Sequence, residues 1–205
     1  MKQLDILFIH PNASNEIYQE LSKDYSAIEP PIWAGMLASH CLKHGFGAEI
    51  LDCEALQLDK DMAVGAIKEF NPRVACFVVY GQQPSASSQN MQGAVFLAEH
   101  LKLTCPQIKI LFVGGHVSAL PLEVMTRHPF VDMICQNEGV YTISNLLRTN
   151  LEDHLDRVKG LGYRVIELPP NKQNSKTLAG RIDAGESFRV GKEKLNKAVP
   201  PQAMR

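Results

Sequence analysis

The chain has 205 residues, of which 45% are hydrophobic and 21% charged, and its formal net charge at pH 7 is −1. This composition is typical of a globular protein, and so small a net charge argues against nucleic acid or an anionic membrane surface as the main partner. No apolar stretch approaches the length of a membrane-spanning helix, and the amino terminus lacks the layout of a signal peptide.

Short apolar runs alternate with longer amphipathic runs, which predicts a parallel sheet with helices on both faces. The apolar runs are rich in Ile, Val and Phe and barely alternate with polar residues, as expected of strands covered on both sides. The predicted strands span residues 4–10, 48–53, 74–80, 108–114 and 131–135. The predicted helices span residues 32–44, 59–70, 88–103, 120–128 and 139–149.

This order of elements predicts an α/β fold over residues 1–150, a flavodoxin-like (Rossmann-like) doubly wound sheet of five parallel strands. Residues 151–205 differ in character and are predicted to form an extension. Within it, residues 158–166 and 187–190 are expected to pair as a small hairpin around a flexible polar loop at 169–185. We interpret the last residues as a linker toward a further domain.

Five cysteines are dispersed along the chain, and no two of them form a C-x-x-C pair. Cys76 and Cys135 lie inside predicted strands, so we expect buried, reduced thiols and a reducing compartment, the cytoplasm. No familiar cysteine spacing for an iron–sulfur cluster is present.

The strongest local signal is a double glycine, Gly114 and Gly115, directly after a buried strand. Without a Cβ the backbone can approach a ligand closely, and ligands of such sheets bind beyond the carboxyl ends of the strands. Ser118 is expected to cap the next helix, whose free N–H groups favour a phosphate or another polar group. The alternative is a tight turn that binds no ligand.

A second signal follows the central strand, where Tyr80 and Gly81 precede a run of small hydroxylated residues. Ser85 and Ser87 can donate hydrogen bonds to a nucleotide-like tail, and Gly81 leaves room for it. The alternative is a helix start capped by Ser87 or Ser88, and the two interpretations are compatible.

The segment between the first strand and the first helix, residues 11–31, is far longer than the usual connection, which indicates a functional or disordered loop. A wide, planar ligand at the sheet edge would suit it. His40 and His44, four residues apart, are interpreted as part of a solvated helix face. We find no nucleophile elbow, no dinucleotide-binding glycine motif and no ATP-binding loop.

Four stretches resemble the amino-terminal cobalamin-binding domains of cobalamin-dependent radical SAM enzymes, and together they span nearly all of residues 4–147. They are IEPPIWAGMLASHCLKHGFGAEILD, YGQQPSASS, GGHVSALPLEVM and VDMICQNEGVYTI. Two later stretches, VKGLGYR and AVPPQAMR, resemble the connection that leads into the radical SAM barrel.

This resemblance implies that cobalamin lies over the carboxyl ends of the strands, with its nucleotide tail beside the double glycine. The expected cofactor-binding residues are Asn12, Ala13, Ser14, Glu29, Pro30, Tyr80, Gly81, Ser85, Ser87, Gly114, Gly115, His116, Ser118, Asn137, Glu138 and Gly139. None of them is expected to ligate a metal, and the chain itself is assigned no catalytic residue.

The sequence departs in one place from many other cobalamin domains, which carry a D-x-H-x-x-G motif after the first strand. Here that place reads His10-Pro11-Asn12-Ala13-Ser14-Asn15. The resemblance therefore implies that cobalamin is bound base-off without a histidine ligand, with His10 as a lower cobalt ligand being the alternative.

The C-x-x-x-C-x-x-C motif of radical SAM enzymes is also absent. The chain alone is thus not expected to bind the [4Fe-4S] cluster and S-adenosylmethionine of a parent enzyme, which the resemblance implies is a methyltransferase. The expected partner is a radical SAM domain, in cis or in trans. The alternatives are a stand-alone cobalamin carrier or sensor, and a flavodoxin-like domain for another nucleotide-like ligand.

Overall fold

The computed structural model describes residues 3–12, 30–81, 84–165 and 187–191, and within these ranges the strands form a single seven-stranded sheet. The strand order is β2-β1-β3-β4-β5-β6-β7, and β1 to β5 are all parallel. The strands are β1 (Leu4–His10), β2 (Ala48–Asp52), β3 (Pro72–Val79), β4 (Lys109–Gly114), β5 (Met133–Cys135), β6 (Leu161–Val165) and β7 (Phe188–Gly191). The five parallel strands and their order confirm the predicted flavodoxin-like sheet.

Six helices and one 3₁₀ turn cover this sheet in the described part of the chain. They are α1 (Ile32–Lys43), α2 (Lys60–Phe70), α3 (Pro84–Thr104), α4 (Gly115–Ala119), α5 (Pro121–Arg127), α6 (Val140–Leu147) and the turn Leu155–Arg157. α1 and α6 pack on one face, and α2 to α5 pack on the other. None of these helices is long and apolar enough to cross a membrane.

Three phenylalanines show why the central strands form. Phe8, Phe77 and Phe112 are fully buried in the adjacent strands β1, β3 and β4. Phe77 and Phe112 are register partners that face α2 and α3, whereas Phe8 faces α1 and α6. Each such side chain stabilises the fold by about 1.5–3 kcal/mol. Burial on both faces explains why these strands barely alternate between apolar and polar residues.

All five cysteines are buried as free thiols, which confirms the burial predicted for Cys76 and Cys135. Burial raises the pKa of Cys41 to about 11 and that of Cys53 to about 12. The thiolate forms are therefore disfavoured, and these cysteines act as small apolar side chains of the core.

The predicted carboxyl-terminal hairpin is wrong. β6 runs antiparallel to β5, but β7 runs parallel to β6, whereas the two strands of a hairpin are antiparallel. A parallel pair needs a connection of about a dozen residues or more. Residues 166–186 lie between β6 and β7 and are enough for such a connection.

Arg164 ties β6 to the five-stranded core. Its Nε donates to the carbonyl of Val131 at 2.7 Å, and its Nη2 donates to the carbonyls of His128, at 3.0 Å, and Met125. These acceptors lie at the end of α5 and before β5, so one half-buried guanidinium satisfies carbonyls from both segments. The predicted boundary between two units at residue 150 remains a prediction.

Candidate functional site

The switch point of the sheet lies between β1 and β3. The chain leaves β1 for α1 on one face and leaves β3 for α3 on the other face. Doubly wound sheets bind their ligands at this position, beyond the carboxyl ends of the strands. The candidate site is therefore the carboxyl edge around the ends of β1, β3, β4 and β5.

Ser87 connects the ends of two strands at this edge. It is 2% exposed, its Oγ donates to the carbonyl oxygen of Val79, and it accepts a hydrogen bond from the backbone N–H of His116 at 3.0 Å. A hydroxyl has a single proton to donate, and Ser87 uses it within the protein. Ser87 therefore holds α4 against the end of β3.

Gly114 is required by the packing of the edge itself. It ends β4 opposite its register partner Val79, and an added Cβ would lie 2.1 Å from the Val79 carbonyl oxygen. Gly115 is exposed, and a Cβ there would meet Ser87 Oγ at 3.4 Å. The two glycines thus differ, because the first allows two strands to approach and the second lies open at the surface.

Tyr80 joins three elements at the end of β3. Its ring stacks on Trp33 of α1 with ring centroids 4.4 Å apart, and its hydroxyl donates to the carbonyl oxygen of Asn137 at 2.6 Å. Asn90 of α3 donates to the Tyr80 carbonyl at 3.1 Å. Burial raises the pKa of Tyr80 well above its usual value, so the phenol remains protonated and donates this bond.

The turn after β5 is held against this tyrosine. Asn137 and Gly139 both have positive φ, and a Cβ on Gly139 would lie 2.8 Å from Val113 Cγ2. Ser118 Oγ also donates to the Asn137 carbonyl, at 3.4 Å, while the side chain of Glu138 is exposed. Hydrogen bonds to the Asn137 carbonyl therefore hold the turn after β5 to the end of β3 and to α4.

The predicted helix caps at this edge are wrong. Ser118 lies inside α4, and the residue that precedes α5 is Leu120, which makes no side-chain cap. Ser87 and Ser88 lie within the first turns of α3, which begins at Pro84. Proline favours the first helical position, so the helix starts four residues earlier than we predicted.

A polar pair that the sequence analysis missed lies on the outside of this edge. Ser88 Oγ and His116 Nδ1 are 3.0 Å apart, with Ser88 exposed and His116 half-buried beside the exposed Gly115. The two residues come from the first turns of α3 and from α4. No local pattern could predict this pair, because 28 positions separate the two residues. The sequence did show each partner separately, as a run of serines and as a histidine after the double glycine.

His10, at the end of β1, is held by the neighbouring strand. Its Nδ1 lies 3.2 Å from Asp52 Oδ1, and the two side chains are 10% and 18% exposed. The same carboxylate oxygen accepts the backbone N–H of Ala55 at 3.0 Å. This pair links the carboxyl ends of β1 and β2 through their side chains.

Several predicted site residues lie at or beyond the limits of the described ranges. Asn12 is half-buried and Pro30 is exposed, and they stand at the two ends of the connection between β1 and α1. Ala13, Ser14 and Glu29 lie outside the described residues, as does the side chain of Ser85. Among the residues that are described, no group of three or more His, Cys, Asp or Glu side chains could hold a metal ion.

Replacing Tyr80 with Phe is expected to destabilise the chain by about 1 kcal/mol, because the Asn137 carbonyl loses its short hydrogen bond. Urea unfolding measures the change. Tyr141→Phe is the matched control, since the Tyr141 side chain is 75% exposed, and it should leave the unfolding midpoint unchanged. Equal midpoints for both variants would contradict the role given to Tyr80.

Comparisons with known proteins agree with this architecture. The family model described as the B12 binding domain matches residues 23–147. A cobalamin-dependent radical SAM methyltransferase, TokK from Streptomyces tokunonensis, is 27% identical over 107 residues, which cover 51% of this chain and 14% of TokK.

Two structures of the radical S-adenosylmethionine methyltransferase TsrM from Kitasatospora setae also match. The structure with cobalamin and a [4Fe-4S] cluster bound has a TM-score of 0.58 at 14% identity, and it covers 78% of this chain and 28% of TsrM. The structure with tryptophan substrate and a SAM analog has a TM-score of 0.56 at 15% identity, covering 76% and 28%. At such identities the likeness is one of fold, and this chain spans only a small part of the length of these relatives.

Proposed function

The chain belongs to the B12-binding domain family, and from that premise we propose that it holds cobalamin base-off, without a histidine ligand, for a radical SAM methyltransferase. The observation that carries this proposal is the position of the family match. It includes β2 to β5 and the carboxyl edge around Tyr80, Gly114 and Gly139. The relative TokK is itself described as a cobalamin-dependent radical SAM methyltransferase.

The groups exposed at this edge suit the polar parts of cobalamin. Its amide side chains and the phosphate of its nucleotide tail need hydrogen-bond partners and a surface without crowded carboxylates. Ser88 and His116 offer hydroxyl and imidazole groups there, and Gly115 leaves the backbone open beside them. Bound cobalamin would supply the chemistry of methyl transfer, and the residues of this chain would hold and orient it.

The contacts of His10 support binding without a histidine ligand. Nδ1 is directed at Asp52, and the side chain is 10% exposed, which leaves little of the imidazole accessible to a bound cofactor. Asp52 is also fixed by the turn that follows β2. We therefore assign the His10–Asp52 pair the role of joining two strands.

Spectroscopy of the loaded protein tests this proposal. We expect reduced cobalamin bound to the wild-type chain, and to His10→Gln, to give the same base-off electron paramagnetic resonance spectrum without coupling to a nitrogen ligand. His154→Gln is the control, since that histidine is exposed and lies after α6, outside the residues assigned to the candidate site. Nitrogen coupling that disappears only in His10→Gln would overturn the proposal, because a histidine held by a carboxylate is also a common arrangement for a metal ligand.

The remaining parts of the reaction are assigned to a radical SAM domain, in cis or in trans. That domain would bind the iron–sulfur cluster and S-adenosylmethionine. This division follows from the small share of the relatives that the chain covers, 14% of TokK and 28% of TsrM.

A further inference from the structure

The outer sides of α1 and α6 enclose a groove that the proposed cofactor site does not use. Its volume is about 550 Å³, and we call it the α1–α6 groove. It is lined by Ile32, Gly35, Met36, Ser39, His40, Lys43 and Val140. The residues from α1 recur three and four positions apart, so they form one continuous stripe along that helix.

One end of the groove is apolar and open to solvent. Ile32 is 62% exposed, Met36 is 53% exposed, and Tyr141, at the start of α6, is 75% exposed. The ring of His40 lies between the two helices and meets the Tyr141 ring edge-on, with centroids 5.5 Å apart. Adjacent large apolar side chains that remain exposed on a folded domain mark an interaction surface.

The other end of the groove is positively charged. Lys43 ends α1, Arg148 follows α6, and both lie close enough to His40 to affect its pKa. Arg148 bonds Asn145 and lies over the Phe46 ring. Within the described ranges, no carboxylate forms an ion pair with Lys43 or Arg148.

The titration of His40 agrees with this distribution of charge. Its pKa is lowered, first by burial and then by His44, Arg148 and Lys43. Among the described residues, its buried Nε2 has no hydrogen-bond partner. Lys43 and Arg148 thus both act on the surroundings of His40, and a carboxylate of a partner would be attracted to their charges.

We propose that the α1–α6 groove binds an amphipathic helix of a partner protein, with apolar side chains against Ile32, Met36 and Tyr141 and a carboxylate between Lys43 and Arg148. A helix laid in a groove between two helices uses anchors at successive turns, which matches the stripe on α1. Charge at one end fixes the direction of the bound helix, and the apolar end supplies the affinity. Binding of the partner helix needs no cofactor, so peptide binding and cobalamin binding can be measured independently.

A synthetic peptide tests the chemistry of the occupant. The probe is a fluorescein-labelled helical peptide with Leu on one face in its first two turns and Glu on the same face in its last two turns. The control peptide has Lys in place of each Glu. By fluorescence anisotropy, the wild-type chain should bind the Glu peptide at least about tenfold more tightly than the Lys peptide, a difference of about 1.4 kcal/mol.

Charge reversal in the protein should invert this preference. In the double variant Lys43→Glu, Arg148→Glu, the Lys peptide should bind more tightly than the Glu peptide. Met36→Glu should weaken the binding of both, and Lys68→Glu, an exposed cation on α2, should change neither. Circular dichroism confirms that each variant is folded, so a change in peptide binding reports the groove.

Three results would overturn the proposal. The first is equal affinity of the two peptides, or no binding at about 1 mM chain. The second is an unchanged preference in the double variant. The third is a wild-type dimer in sedimentation equilibrium that dissociates in Met36→Glu, since the occupant of the groove would then be a second copy of this chain.

Discussion

Gly114→Ala is expected to prevent stable folding. The new Cβ would lie 2.1 Å from the carbonyl oxygen of Val79 and 2.6 Å from its carbonyl carbon, and both are backbone atoms. Val79 cannot move away easily, because it pairs with Gly114 in the sheet and its carbonyl accepts the Ser87 hydroxyl. We expect the free energy of unfolding to fall by more than about 4 kcal/mol, which is typical of substitutions that disrupt the backbone or the core.

Gly65→Ala is the matched control. Gly65 lies in α2 with nothing within 4 Å of its added Cβ, and alanine there should stabilise the chain by about 0.5–1 kcal/mol. Soluble yield and the urea unfolding midpoint measure both variants. If Gly114→Ala kept the wild-type midpoint, β3 and β4 could not approach as closely as described.

Arg164→Leu should destabilise the chain by about 3 kcal/mol, because the carbonyls of Met125, His128 and Val131 lose the donor that they share. The loss exceeds that of an ordinary surface charge, since the carbonyls of the buried residues Met125 and Val131 each lose a donor, although the His128 carbonyl still accepts the N–H of Val131 at 3.0 Å. Urea unfolding, followed by fluorescence of the single tryptophan, Trp33, and by circular dichroism, measures the change.

Arg157→Leu provides the comparison for this variant. Arg157 is exposed in the 3₁₀ turn before β6, and its replacement should change stability by less than about 0.5 kcal/mol. Similar midpoints for Arg164→Leu and Arg157→Leu would mean that β6 does not unfold together with the parallel core.

The parallel core was predictable because its strands are buried on both faces. The apolar runs that contain Phe8, Phe77 and Phe112 have no other place in a doubly wound fold, and the right-handed crossover rule then restricts the strand order. α1 ends at Lys43, one residue before the predicted end at 44, and Gly45 just after it has a left-handed conformation, as is common at helix ends. These features depend on local composition and on general rules of topology.

The details of the site depend on contacts between distant residues and were less predictable. The Ser88–His116 pair and the Tyr80–Asn137 hydrogen bond join residues 28 and 57 positions apart. The direction of β7 could not be read from the sequence either, because a short apolar run fits a parallel or an antiparallel neighbour equally well. The α4 helix was missed since its five residues begin at the second glycine of the pair and resemble a turn.

The most direct test of the central claim is a titration of the purified chain with hydroxocobalamin, followed by desalting and a visible absorption spectrum. We expect corrin to stay with the folded protein and to show a base-off spectrum. A chain that is folded by circular dichroism but retains no corrin after desalting would contradict it.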